Sequence, residues 1–129
     1  MSGVVLDASA VLALLQAEPG ADRVEAVLAD AAIGVFNQAE VIGHFVRLGA
    51  PIAEIRAMLR ALPLRVVEAD EALAWDAAAL RSVTASAGLS LGDRFCLALA
   101  KRLQQPAYTA DRAWQSVAAD CGVDVVLVR

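Results

Sequence analysis

The chain has 129 residues, 59% of them hydrophobic, with 11 basic and 15 acidic side chains, one histidine and two cysteines. Its net charge of −4 excludes a protein that coats nucleic acid through bulk positive charge. It does not exclude an enzyme that acts on nucleic acid, because metal-ligating carboxylates count as negative until the ion arrives. The longest apolar runs, such as Ala8 to Leu15, fall far short of the ~20 residues a spanning helix needs. With no signal-type segment recognisable, no membrane partner is expected and the cytoplasm is the expected location.

Taken in chain order, Val4 to Leu6 is a short apolar strand that stops at Asp7. A helix follows from Ala8 to about Gln16, closed by the Glu18-Pro19-Gly20 breaker. Val24, Val27 and Leu28 are spaced for a helix over Ala21 to Ala31. Ile33 to Phe36 reads as the second strand, and Asn37 opens a helix that ends near Gly49. Pro51 suits the first residue of a helix to about Leu62. Leu64 to Val67 is a third strand. Asp70 caps a helix from Glu71 to about Ala87, which Gly88 stops. Ser90 opens a helix through Leu103. Ala107 to Thr109 is a fourth strand, Asp111 opens a last helix to about Cys121, and Val125 to Val128 is a fifth strand. Cys96 and Cys121 form no C-x-x-C pair and read as buried free thiols.

Strands that alternate with helices and read as continuous apolar runs imply a parallel sheet covered on both faces. Function in such sheets lies beyond the carboxyl ends of the strands, where the strand order switches. Asp7 follows strand one, Glu40 lies one turn into the helix after strand two, and Asp111 follows strand four. Asp93 sits in the first turn of the helix leading to strand four. Singly, each has a structural explanation: Asp7 and Asp111 as helix caps, Asn37…Glu40 and Ser90…Asp93 as capping boxes. Jointly, they interrupt the most apolar segments of the chain. Carboxylates crowded at one end of a sheet raise each other's pKa, and a bound cation relieves that. Oxygen-only ligands select a hard ion such as Mg²⁺ or Mn²⁺, which suits phosphodiester hydrolysis.

Four strings carry a family resemblance: Val-Leu-Asp7-Ala-Ser9, Asn37-Gln-Ala-Glu40-Val41, Gly88-Leu-Ser90-Leu-Gly-Asp93-Arg94 and Thr109-Ala-Asp111-Arg112. Together, in this order, they resemble the PIN-domain ribonucleases, and specifically the VapC-type toxins of bacterial toxin–antitoxin pairs. The resemblance implies one PIN-like nuclease domain over residues 1–129, built as a three-layer α/β/α sandwich with a central five-stranded parallel sheet. It implies Mg²⁺-dependent (or Mn²⁺-dependent) cleavage of an RNA substrate, a homodimer, and a cognate VapB-like antitoxin partner. By position, Asp7, Asp93 and Asp111 would hold the metal, and Glu40 would hold it or orient the attacking water. Ser9 and Thr109 would be hydroxyl neighbours of that site.

Around this core, Arg94 and Arg112 are candidate RNA contacts, each following a quartet aspartate. His44 shares a helical face with Glu40, which would let it touch RNA or a group around the metal, but lying outside the family pattern it reads as surface or interface packing. Arg56 and Arg60, one turn apart, would form either a basic strip beside the site or, as the default, a solvated helix face. Trp75 and Trp114 read as packing residues. Val11 to Leu15 and Val41 to Leu48 are apolar enough to serve as core, dimer contact or antitoxin groove. An aspartyl phosphotransferase would want a second acid where Ser9 stands. A processing nuclease without an antitoxin, or an inactive PIN-fold binding module, are the alternatives.

Overall fold

Five short parallel strands place the acidic positions at one rim of a sheet. The computed structural model describes residues 3–129. Strands β1 (Val4–Leu6), β2 (Ala31–Gly34), β3 (Arg65–Val67), β4 (Ala107–Thr109) and β5 (Val125–Leu127) lie in the order β3-β2-β1-β4-β5. Every pairing is parallel, and Val5 of β1 lies opposite Ala32 of β2 and Ala107 of β4. The helices are α1 (Ala8–Leu15), α2 (Ala21–Val27), α3 (Val35–Arg47), α4 (Ile52–Arg60), α5 (Glu71–Ala79), α6 (Arg81–Thr84), α7 (Leu91–Leu103) and α8 (Ala118–Cys121).

Successive side chains of a strand point to opposite faces, and β1 divides two cores accordingly. Val5 packs with Leu97, Leu99, Ala107 and Trp114 on the side of α5, α7 and α8. Val4 and Leu6 pack with Val11, Val24, Ile33 and Val41 on the side of α1, α2 and α3. The result is the expected three-layer α/β/α sandwich. From β1 the chain builds outward through β2 and β3, then returns to the other side for β4 and β5, so the strand order switches between β1 and β4. Cys96 and Cys121 are buried free thiols, as expected.

Several boundaries differ from the sequence reading. The second strand occupies Ala31–Gly34, two residues before Ile33 to Phe36. Ala31, Ala32 and Ile33 are the buried ones, whereas Val35 and Phe36 are exposed in the first turn of α3. Helix α3 therefore starts at Val35 with Gly34 as its N-cap, and Asn37 is not a cap. Pro51 is the N-cap of α4 rather than its first residue. The helix after Asp70 ends at Ala79 and gives way to α6 and a 3-10 turn at Ala85–Ala87. There the Thr84 hydroxyl donates back to the Leu80 carbonyl at 2.9 Å, a bond that competes with regular helix. The 3-10 turn Leu28–Asp30 follows α2, and the 3-10 turn Arg112–Ser116 replaces the start of the last helix. Trp114 is fully buried as expected, but Trp75 is 71% exposed and is not a packing residue.

Candidate functional site

The ends of β1 and β4 lie side by side, and Asp7 locks them together. Its N–H donates to the Tyr108 carbonyl of β4 at 3.1 Å. Its side chain caps α1, with Oδ1 accepting from the Ala10 N–H at 2.8 Å. The Ser9 hydroxyl donates to Oδ1 at 2.7 Å, and the Thr109 hydroxyl donates to Oδ2 at 2.6 Å. Each hydroxyl oxygen in turn accepts a backbone N–H, from Ala110 at 2.9 Å and from Asp111 at 3.0 Å respectively. Asp7 thus caps α1 while also lining an open cleft, so capping and a place in the candidate site do not exclude one another.

Asp7 is 4% exposed. Burial outweighs the hydrogen bonds from Thr109, Ser9 and Ala10 and, with the nearby Asp93 charge, pushes its carboxyl up from 3.8 to about 6. That rise corresponds to about 3 kcal/mol held against the charged form. One well-buried Leu or Ile contributes ~1.5–3 kcal/mol, so the two cores can hold the carboxyl in place.

Glu40 lies in the second turn of α3. Asn37, one turn earlier, is 2% exposed and donates from Nδ2 to Glu40 Oε1 at 2.8 Å and to the Gly92 carbonyl of α7 at 2.9 Å. Gly92 approaches Glu40 so closely that a Cβ there would overlap its carboxyl group, with Oε1 at 2.7 Å. Glu40 opens to the cleft, yet packing around it lifts its carboxyl above the ordinary range; Asn37 pulls it down and Asp93 adds to the rise.

Asp93 and Ser90 form the expected capping box at the start of α7. Asp93 Oδ2 accepts the Ser90 N–H at 2.9 Å, and Ser90 Oγ accepts the Asp93 N–H at 3.2 Å. Burial raises the Asp93 carboxyl, the Ser90 bonds lower it, Asp111 raises it and Arg94 lowers it. Asp111 is exposed beyond β4, and its Oδ1 accepts the Ala113 N–H at 2.9 Å.

All four acids, with Ser9, His44 and Arg47, line one open cleft of about 460 Å³. As the side chains stand, no three Asp, Glu, His or Cys groups among the described residues gather closely enough to hold one ion between them. The donor chemistry nonetheless fits a hard cation. The donors are all oxygens, and Asp93 and Asp111 each have an oxygen outside the capping bonds described above. The Asp93 charge adds to the rise at Asp7 and Glu40, and the Asp111 charge adds to the rise at Asp93. Mg²⁺ keeps several of its waters, so a loose ring of carboxylates can bind it partly through them.

The other candidates divide. Arg94 is buried, and its guanidinium donates to the Leu89 carbonyl at 3.0 Å. It faces the protein, which removes it as an RNA contact and makes it an internal counter-charge for Asp93. Arg112 is exposed. Arg56 and Arg60 line a separate groove of about 450 Å³ with Ile42, Ile52 and Leu59, away from the acids. His44 lines the acidic cleft, which suits a place near the site better than surface or interface packing. Sequence reasoning missed Asn37 as a tether, Gly92 as a close approach, and Arg47. The signal for Arg47 was available: it follows Glu40 by seven residues, two helical turns on one face.

The sequence model of the PIN domain matches residues 4–120. No curated protein matches the sequence. Among solved structures, a toxin–antitoxin complex from Klebsiella pneumoniae superposes with a TM-score of 0.76 at 19% identity, covering 98% of each chain. DNA-bound VapBC from Salmonella typhimurium superposes with a TM-score of 0.75 at 15% identity over 100% of each chain. VapBC-1 from nontypeable Haemophilus influenzae gives 0.69 at 16% identity over 97% of each chain. At these identities the superpositions speak for the fold, and they agree with the sheet order and with the family match. The chain belongs to the PIN domain family.

Proposed function

We propose that this chain is a metal-dependent endoribonuclease and the toxin of a toxin–antitoxin pair. The observation that carries the nuclease reading is the convergence of Asp7, Glu40, Asp93 and Asp111 from four distant parts of the sequence onto one cleft at the switch in strand order. The toxin reading draws on the structural neighbours, several of which are toxin–antitoxin complexes. Exposed apolar side chains at Val35, Phe36 and Leu91 in the first turns of α3 and α7, and at Val46, Leu48 and Ile52 where α3 meets α4, offer surface for a second copy and for a VapB-like antitoxin.

Asp7, Asp93 and Asp111 would hold Mg²⁺ or Mn²⁺ directly or through water. When bound, the ion lowers the pKa of a water and neutralises charge on the phosphate. Ser9 and Thr109 fix both Asp7 oxygens, so that carboxylate is oriented before any ligand arrives. Glu40, tethered by Asn37, is positioned to orient the attacking water or to take its proton.

The test is incubation of purified protein with structured RNAs, with and without EDTA. Cleavage is expected with Mg²⁺ or Mn²⁺, lost on chelation, and reduced more than about a hundredfold in Asp7→Asn and Asp93→Asn. Cleavage that survives chelation and both substitutions would overturn the reading.

A further inference from the structure

The cleft that gathers four acids has one permanently charged cation among its lining residues, Arg47. It ends α3 two turns beyond Glu40, roughly 10 Å along the helix axis at 1.5 Å per residue. His44 lies between them on the same face, and its Nε2 sits 3.0 Å from Gln16 Nε2 just past α1. That contact ties α1 to α3 along the cleft wall, with His44 one turn before Arg47 on the same helix. Gly43 leaves the wall open, since a Cβ there would meet nothing within 4 Å. Arg47 is exposed, and the ion pairs among the described residues belong to Arg102 and Arg129 instead.

A polyanion entering a cleft of carboxylates on a chain of net charge −4 meets repulsion. An ion held by the acids relieves it at the phosphate being cut, but not at the neighbouring phosphates of the strand. A guanidinium suits such a phosphate, offering several donors in a planar fork. We propose that Arg47, with His44 beside it, binds a backbone phosphate of the RNA next to the one that is cut. The strand then runs along α3 from the acids towards the α3 C-terminus. This assignment rests on the ribonuclease reading above. The competing explanation is local: a cation in the last turn of a helix is favourable whatever the substrate. That explanation moves stability and nothing else.

The experiment compares wild type with Arg47→Ala, Arg47→Lys and His44→Ala in two assays. One is steady-state cleavage of a structured RNA in Mg²⁺. The other is fluorescence anisotropy of a short labelled single-stranded RNA over a salt series, in the cleavage-silent Asp7→Asn background with Mg²⁺. For Arg47→Ala, KM is expected to rise about tenfold with kcat nearly kept. The slope of log affinity against log salt is expected to fall by about 0.7, the contribution of one phosphate contact on a single strand. Arg47→Lys should keep the slope and recover part of the affinity. His44→Ala should raise KM severalfold without changing the slope. An unchanged KM and slope in Arg47→Ala, or a fall in kcat with the slope intact, overturns the assignment. If wild type cleaves no RNA, or Asp7→Asn still cleaves, the ribonuclease reading has failed instead.

Discussion

Asn37 spends both of its amide hydrogens on the site, one on Glu40 and one on the Gly92 carbonyl. Asn37→Ala should therefore release Glu40 and leave the Gly92 carbonyl without this donor. The expected result is a fall in kcat of about tenfold and a loss of about 1–3 kcal/mol of stability, the scale of buried hydrogen bonds left unmade. Single-turnover kinetics and urea unfolding check the two parts. Gly92→Ala makes a sharper contrast. The added Cβ would collide with the end of a flexible side chain, not with backbone, so the fold can yield by moving Glu40 aside. Activity should drop while the melting temperature stays close to wild type; a large fall in melting temperature would contradict this. The four acids were legible in the sequence because each breaks an apolar segment. Asn37 and Gly92 were not, because their roles arise where α3 packs on α7. Arg94 misled for a related reason: standing next to Asp93 in sequence does not fix which way a side chain points, and this one points inward.

At some element ends marked by a capping side chain or a short apolar run, sequence and structure agree closely. Helix α7 between Ser90 and Leu103, and β1 and β4, lie where the punctuation places them. The boundary between β2 and α3 slid by two residues because Ala31 and Ala32 carry no period of their own, and short alanines suit a helix as well as a buried strand. The Ala-rich stretch after Asp70 likewise hides its break at Leu80. One glycine outside the site shows how much an element junction can depend on a single residue. Gly20, between α1 and α2, has φ +98, and a Cβ there would lie 2.6 Å from the Val128 carbonyl oxygen. Both the backbone conformation and the rigid neighbour oppose a side chain. Gly20→Ala should destabilise the protein by more than about 1 kcal/mol, measured as a lower denaturation midpoint with an unchanged slope, and a midpoint equal to wild type would show that the strand end can shift freely.

For the molecule as a whole, burial of the cleft carboxyls, helped by their neighbours' charge, makes stability depend on pH in an unusual direction. Asp7 titrates near 6 in the folded protein against 3.8 ordinarily, so the folded state binds its proton more tightly than the unfolded state. The stabilisation this supplies is complete below about pH 4 and is lost as pH rises through about 6. Glu40 and Asp93 are raised as well and act in the same sense. In chelator, wild type should lose stability between acidic and neutral pH, about 3 kcal/mol of it from Asp7, and Asp7→Asn should remove that part. Thermal melts across the range are the measurement, and a wild-type profile that rises towards neutrality would refute it. Excess Mg²⁺ should restore stability at neutral pH by mass action on the folded state. The sheet has one further consequence. Its outer strands, β3 and β5, are three residues each, and β3 begins with the exposed Arg65. Unpaired backbone groups on a long outer strand invite strand-to-strand association between molecules, which such short edges discourage. A chain that is 59% hydrophobic thus presents only short outer strands as a template for β aggregation, and any further copy or partner would have to dock on helix surfaces.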